Sequence, residues 1–223
     1  GLNLTLQSDK NIHVLKTLTA SGPTDKITLN YGQGAAAAGN TANFNFGLTG
    51  DGFAGKLNLH AGNNFSTKLG SDGTAIDYTV ITELGNEGST TGTDLQGMNG
   101  NLARNYALGA NIDAASTSAW NSNAGFDGIG SGEVAFTGRF SGLGHSITGL
   151  TINRPTTGFV GLFDYAENAT IRDVLVLNAN VVGNDAVGAL AGLVVGTQFF
   201  QVASSGEVSA SVSRPGGLIG SLQ

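Results

Sequence analysis

Three similar glycine-and-apolar phrases decide the fold: Phe159-Val160-Gly161-Leu162-Phe163, Ala186-Val187-Gly188-Ala189-Leu190 and Gly216-Gly217-Leu218-Ile219-Gly220. Aligning Gly161, Gly188 and Gly217 as equivalent residues gives spacings of 27 and 29 residues. The intervening sequence also recurs, because Val174 occupies the place in one interval that Val202 occupies in the next. A period of this length is typical of solenoids, propellers and arrays, whose units bury their apolar sides against one another.

Short stretches upstream of the repeat alternate apolar and polar residues, as in Leu2–Leu6, Ile27–Leu29 and Phe44–Phe46. Alternation with a period of two, interrupted by Gly, Asn, Ser and Asp, predicts short half-buried strands. Glycine-rich intervals predict tight corners, because glycine tolerates positive φ and close backbone approach. At one such corner, Gly142-Leu143-Gly144-His145, we expect both glycines to be structural and His145 to hydrogen-bond within the turn.

The predicted fold is therefore an all-β solenoid, with one short helix near residues 94–102. The helix is expected because Leu95, Met98 and Leu102 lie at helical spacing behind Asp94, a residue suited to N-capping.

Composition excludes several classes of function. The net charge of −6 argues against nucleic-acid binding, which requires a concentrated basic patch. The absence of cysteine excludes disulfides and thiolate chemistry. No apolar run is long enough to cross a bilayer, so membrane insertion is not expected. With neither an initiator Met nor a signal peptide, we expect the chain to be a piece of a longer protein.

Several motifs carry a family resemblance: Asp94–Leu102, Tyr106–Asp113, Trp120–Gly130, Phe140–Ile147 and Val160–Phe163. Together they resemble filamentous-haemagglutinin-type adhesins of Gram-negative bacteria, and residues from 94 onward resemble GLUG-type repeats. The resemblance implies a right-handed parallel β-helix. It further implies that residues 1–90 are β-helical coils of the adhesin rod and that residues 91–223 are a GLUG-type repeat β-helix continuing the same solenoid.

The resemblance also implies a function. Such a protein would be secreted or held on the Gram-negative cell surface, exported by two-partner secretion through an outer-membrane transporter. The secretion domain of such proteins is not visible in this sequence. The segment would be non-enzymatic, and would serve as a rigid stalk and surface for cell adhesion, aggregation or biofilm matrix. The residues that carry the resemblance do not specify a ligand.

Two alternatives remain open. A carbohydrate-binding module would recognise host or matrix glycans through exposed aromatic residues, for which Trp120 and Tyr165 are the candidates. A polysaccharide lyase or hydrolase would need catalytic acids, and a hydrolase requires two carboxyl groups facing one cleft. Asp164, Asp173 and Asp185 lie 9 and 12 residues apart, and no acids form an i, i+2 pair on a strand. We therefore expect no catalytic residues.

No cofactor is expected. Gly50–Gly55 matches a dinucleotide-binding pattern, but a strand pattern follows it where a helix is required, so a corner is the better interpretation. The histidines lack metal-ligand spacing. A structural calcium is the remaining alternative, because acids such as Asp51, Asp72 and Asp127 lie in glycine-rich loops, although the EF-hand spacing is absent.

Overall fold

The computed structural model describes residues 1–223 and is almost entirely β, with 47% of residues in strands and 6% in helical turns. This confirms the all-β prediction. The strands are β1 (Asn3–Gln7), β2 (Ile12–His13), β3 (Leu18–Ala20), β4 (Lys26–Tyr31), β5 (Phe44–Asn45), β6 (Leu48–Thr49), β7 (Gly52–Phe53), β8 (Leu57–Leu59), β9 (Gly62–Leu69), β10 (Ile76–Ile81), β11 (Tyr106–Leu108), β12 (Ile112–Asp113), β13 (Arg139–Ser141), β14 (Ser146–Thr148), β15 (Thr151–Asn153), β16 (Phe159–Val160), β17 (Phe163–Glu167), β18 (Thr170–Gly183), β19 (Ala186–Gly188), β20 (Ala191–Val195), β21 (Gln198–Ala210), β22 (Pro215–Gly216) and β23 (Ile219–Leu222). The 3₁₀ turns are η1 (Gln96–Gly100), η2 (Ala115–Ala119) and η3 (Asn121–Asn123).

One 11-stranded sheet runs through the molecule, and its central order is β1-β4-β9-β10-β11-β13-β18, with β21 added beside β18. Residues 1–75, here called the first unit, contribute three parallel strands, with Ile27 of β4 paired to Leu4 on one side and Phe65 on the other. Two smaller parallel pairs, β2–β5 and β3–β8, repeat this stacking elsewhere in the first unit. The alternating residues Ile27 and Leu29 point inward and are fully buried.

The chain reverses direction between β9 and β10. These strands are antiparallel, with Tyr78 opposite Phe65, whereas β10 and β11 are parallel, with Thr79 opposite Tyr106. All strands of the large sheet from β10 onward, in residues 76–223 (the second unit), therefore run opposite to those of the first unit. The strand direction of the large sheet changes at the 70–75 turn. The predicted division into β-helical coils at residues 1–90 and a GLUG-type repeat β-helix at 91–223 continuing the same solenoid stays a prediction.

The apolar core changes sides of the sheet at the same place. Tyr78 and Val80 of β10 belong to a 14-residue cluster in the first unit. Ile81, together with Tyr106 and Leu108 of β11, belongs to a 29-residue cluster in the second unit. Because successive residues of a strand face opposite sides, the two cores lie on opposite faces of β10 and β11.

The second unit stacks three successive turns of chain in parallel. The 14-residue strand β18 pairs in order with β13, β14 and β15 on one side, and with β21 on the other. It bends at Asp173 and Asn178, whose φ values are +54° and +52°. The rows β16-β19-β22 and β17-β20-β23 complete each turn.

The repeat positions mostly stack as predicted. Val174 lies opposite Val202, which confirms that equivalence. Gly188 pairs with Gly216 and not with Gly217, so that alignment is wrong by one residue. A Cβ on Gly188 would lie 2.4 Å from the Ala191 carbonyl oxygen and 2.7 Å from that of Leu218. The glycine is required there for close backbone packing. Gly161 is similarly enclosed, whereas Gly217 is exposed with open space around it.

The predicted helix near residues 94–102 is only the 3₁₀ turn η1. Asp94 does cap it, since its carboxylate accepts the Gly97 backbone N–H at 2.7 Å. The turn ends at Asn101, whose backbone is extended, and Gly100 packs against neighbouring backbone, where a Cβ would lie 2.0 Å from the Thr90 carbonyl oxygen. The turns η2 and η3 were not predicted. No helical segment is long and apolar enough to cross a membrane.

Candidate functional site

A polar cleft of about 290 Å³ opens beside η1 and has no apolar side chain in its lining. It is lined by Gly88, Ser89, Thr90, Gln96, Asn99, Asp127, Gly128, Gly130, Ser131 and Asp164. Asp94 organises the rim, because its carboxylate accepts hydrogen bonds from the hydroxyls of Ser89 at 2.8 Å and Thr91 at 2.6 Å.

Two side chains of η1 hold the wall that carries Asp127. The Gln96 amide donates to the Asp127 carbonyl at 2.9 Å and accepts the Asp127 backbone N–H at 3.0 Å. The Asn99 amide donates to the Gly128 carbonyl at 3.1 Å and accepts the Gly130 N–H at 2.9 Å. The two amides thus hold the 127–130 loop on one side, and the parallel backbone bridge between Ile129 and Phe163 holds it on the other.

The cleft contains two carboxylates in different environments. Asp127 is half exposed, and its Oδ1 accepts a hydrogen bond from the Arg154 guanidinium at 2.6 Å. Asp164 is largely enclosed, and its Oδ1 accepts the Gly161 backbone N–H at 3.1 Å. Burial raises the pKa of Asp164 to about 7, and the negative charge of Asp127 adds to that rise, whereas Gly161 and Arg154 oppose it. Near neutral pH, Asp164 therefore retains a proton on a substantial fraction of molecules.

A carboxyl group that holds its proton, close to one paired with a cation, resembles the division of roles in glycoside hydrolysis. A search for acids at i, i+2 spacing could not detect these two carboxylates because they come from different turns of the chain. One sequence signal could have found them, because each follows a phenylalanine, in Phe126-Asp127 and Phe163-Asp164. In the structure, the two turns stack through the bridge between Ile129 and Phe163.

The aromatic candidates lie elsewhere. Trp120 is half buried and stacks on Phe126, with ring centroids 6.4 Å apart, so it anchors its own loop on the second-unit core. Tyr165 lies on β17 opposite Leu193 of β20. Neither residue lines the polar cleft, and the structure does not bring them together in any of the larger clefts.

His145 hydrogen-bonds within its turn as predicted, because its backbone N–H donates to the Gly142 carbonyl at 2.8 Å, and its side chain also joins the two units. Its Nε2 lies 2.8 Å from the Leu57 carbonyl oxygen, and its Nδ1 lies 3.0 Å from the Asn111 side-chain oxygen. Burial lowers the pKa of His145 to about 4. The adjoining glycines permit close contacts: a Cβ on Gly144 would lie 2.3 Å from the Gly55 carbonyl oxygen, and one on Gly142 would lie 2.3 Å from that of Asp173.

The other acids that the sequence singled out are dispersed. Asp173 is fully buried in an ion pair with Arg172, and Asp185 pairs with Arg214 near the surface. Asp72 accepts the Ala37 N–H at 2.7 Å. No three His, Asp or Glu side chains form a group that could hold a metal ion. Gly50–Gly55 includes the turn of the antiparallel hairpin β6–β7, so it is a corner and does not open a helix.

Comparison with known proteins gives one match. An alignment of 139 positions, which covers 58% of the chain, is 40% identical to halomucin of Haloquadratum walsbyi. That stretch corresponds to 2% of halomucin, so the chain is similar to a small part of a very long protein. No protein-family model matches the chain, and no solved structure matches it.

Proposed function

We propose that the chain is a non-enzymatic segment of a very large secreted or cell-surface protein, where it forms a rigid rod with an adhesive surface. The stacking of β13, β14 and β15 on β18, and of β18 on β21, is the observation that carries the proposal. Each turn buries its apolar side on the next, so such a unit extends by repetition. The likeness to a short part of halomucin supports a place within a long chain.

The finer proposal is a right-handed parallel β-helix of the filamentous-haemagglutinin type, with GLUG-type repeats in the second unit. Its support is the parallel register at intervals of 27 and 28 residues, as between Val160 and Val187 and between Thr170 and Gln198. A Gram-negative source and an outer-membrane transporter as export partner follow only from the resemblance. Weak contacts repeated along such a rod would gain strength by multivalency.

Adhesion can be tested with beads coated with the purified chain. Coated beads should attach to cells or aggregate one another more than beads carrying an inert β-rich protein at equal density. Small-angle scattering of the free chain should give one rigid particle. Attachment no greater than the inert coating would refute the adhesive role, and a flexible ensemble would refute the rod.

A polysaccharide hydrolase is the second candidate, and the pair Asp127 and Asp164 favours it. Incubation with neutral and acidic polysaccharides should release reducing ends if the cleft is catalytic. Asp164→Asn and Asp127→Asn should each abolish the release, whereas Asp185→Asn, which alters an acid outside the cleft, should not. Absence of any release from the unmodified chain would leave the non-enzymatic proposal standing.

A further inference from the structure

A second groove, here called the junction groove, lies between the first unit and the sheet of the second unit. Its volume is about 420 Å³, within the range of small-ligand sites. Its lining consists of Tyr31, Asn40, Thr41, Ala42, Asn43, Leu69, Arg139, Thr170, Arg172, Gln198 and Phe200. Clefts between packed units are preferred places for ligand sites.

The sheet supplies two rows of side chains to the groove. Arg139, Thr170 and Gln198 lie opposite one another on β13, β18 and β21. Arg172 and Phe200 form the adjacent row, two residues further along, and therefore point to the same face. Further along the sheet, the first unit packs on this same face. The groove lies where the first unit no longer covers the sheet.

The groove is cationic in a chain of net charge −6, because its lining contains two arginines and no carboxylate. The guanidinium of Arg172 is occupied by contacts within the protein. It pairs with Asp173 at 2.5 Å, donates to Asn43 and the Phe44 carbonyl, and stacks 3.6 Å from the centre of the Phe44 ring. Burial raises the pKa of Tyr31, and both arginines oppose that rise, which is consistent with their charges lying close to its hydroxyl.

The guanidinium of Arg139 makes few contacts within the protein. It is exposed, takes no part in the three ion pairs of the chain, and makes a single long hydrogen bond of 3.4 Å to the Thr170 hydroxyl. A guanidinium with free N–H groups binds a carboxylate or sulfate in a bidentate manner. Tyr31 and Gln198 add a hydroxyl and an amide to the lining, and Phe200 presents an aromatic side chain that is 37% exposed.

We propose that the junction groove binds an acidic saccharide, with the carboxylate or sulfate of one sugar on Arg139 and a sugar ring against Phe200. Hydroxyl and amide groups of Thr41, Tyr31 and Gln198 are placed to meet the sugar hydroxyls. The inference deepens the glycan-recognition alternative and rests on it, but it does not require the rod.

Calorimetric titration of the full chain tests the proposal. The ligands are short oligogalacturonates, sulfated dextran oligomers, neutral dextran oligomers and single-stranded DNA. We expect a charged saccharide to bind and the neutral one not to bind, and preference between carboxylate and sulfate identifies the anion. Arg139→Gln should weaken binding by about 10- to 100-fold, the loss expected for a charge-assisted hydrogen bond. Arg139→Lys should be intermediate because it keeps only the charge.

Arg104→Gln is the matched control, because Arg104 is also exposed and unpaired but lies outside the groove. It should change the affinity by less than about twofold, since surface charges away from a site are largely screened by salt. Equal losses in Arg139→Gln and Arg104→Gln would overturn the site. Two other results would also overturn the proposal. One is that no charged saccharide binds, and the other is that single-stranded DNA binds and loses as much affinity as the saccharide in Arg139→Gln. Scattering and bead assays on Arg139→Gln separate this failure from failure of the rod, because the substitution leaves the stacked strands intact.

Discussion

Replacing Arg172 by Met tests how the two units are held together. Arg172 lies in the second unit, and its guanidinium contacts Asp173 beside it and both Asn43 and Phe44 in the first unit. The Arg172 and Asp173 side chains are 8% and 0% exposed. Met preserves much of the apolar packing against Phe44 but removes the charge and every hydrogen bond.

The loss of stability in Arg172→Met comes mainly from the Asp173 carboxylate, which stays buried without its partner. Asp173 already has one carboxylate oxygen, Oδ1, without a partner, and its other oxygen would lose Arg172. Removing one member of a buried ion pair typically costs about 3–5 kcal/mol. Burial already raises the pKa of Asp173 to about 6, with Arg172 opposing the rise, so loss of Arg172 should raise it further. The variant should therefore regain stability in acid as Asp173 takes up a proton.

Urea unfolding followed by fluorescence of Trp120, the single tryptophan, measures this cost. Arg154→Met is the matched control because it breaks the ion pair with half-exposed Asp127, for which about 0–1 kcal/mol is expected. The double variant Arg172→Met, Asp173→Asn should recover part of the loss. Asn carries no charge and tolerates the positive φ at that position. Equal destabilisation by Arg172→Met and Arg154→Met would refute the reasoning.

Four further variants test local features of the structure. Asp164→Asn should remove a fall in stability with rising pH between about pH 4 and 7. The folded carboxyl keeps its proton to about pH 7 and the unfolded one to 3.8, so the native free energy of unfolding falls as pH rises, by up to about 4 kcal/mol. His145→Gln should remove a slope of opposite sign, because the folded pKa of about 4 lies below the unfolded 6.5 and stability is lost as pH falls between them. Urea titrations at pH 4, 5.5 and 7 measure both slopes, and unchanged slopes would contradict these assignments. Gly188→Ala should cost several kcal/mol or prevent folding, because its Cβ would meet backbone atoms at 2.4 Å. The control Gly217→Ala should change stability by about 0.5 kcal/mol or less, because open space surrounds Gly217. Equal effects of the two substitutions would contradict the register.

The all-β class and the repeat could be predicted because alternation and glycine spacing are local properties of a chain. The register of the third repeat could not be found by aligning glycines. The third copy contains two adjacent glycines, Gly216 and Gly217, and spacing alone does not decide which of them is equivalent to Gly188. The structure pairs Val187 with Pro215 and Ala191 with Ile219, a uniform offset of 28 residues that selects Gly216.

The polar cleft and the reversal were beyond sequence reasoning for different reasons. Asp127 and Asp164 are 37 residues apart and meet only because their turns stack. The strands β9 and β10 alternate as any half-buried strand does, and alternation is the same whichever way a strand runs. The sequence therefore predicts that β10 exists but not that it is antiparallel to β9.

The reversal at residues 70–75 and the change of core face are coupled by geometry. Along the shared sheet, the hand of winding depends on the strand direction and on which face holds the core. Changing either one alone would invert the hand of the proposed β-helix, whereas changing both preserves it. Parallel crossovers of L-residues strongly prefer one hand, so the double change is the arrangement that chirality favours. The register of β10 enforces it, because Tyr78 and Val80 face one core while Ile81 faces the other. Deleting one residue within β10 would exchange these faces and would turn the exposed Asp77 towards a core, so the two units should then fail to fold together.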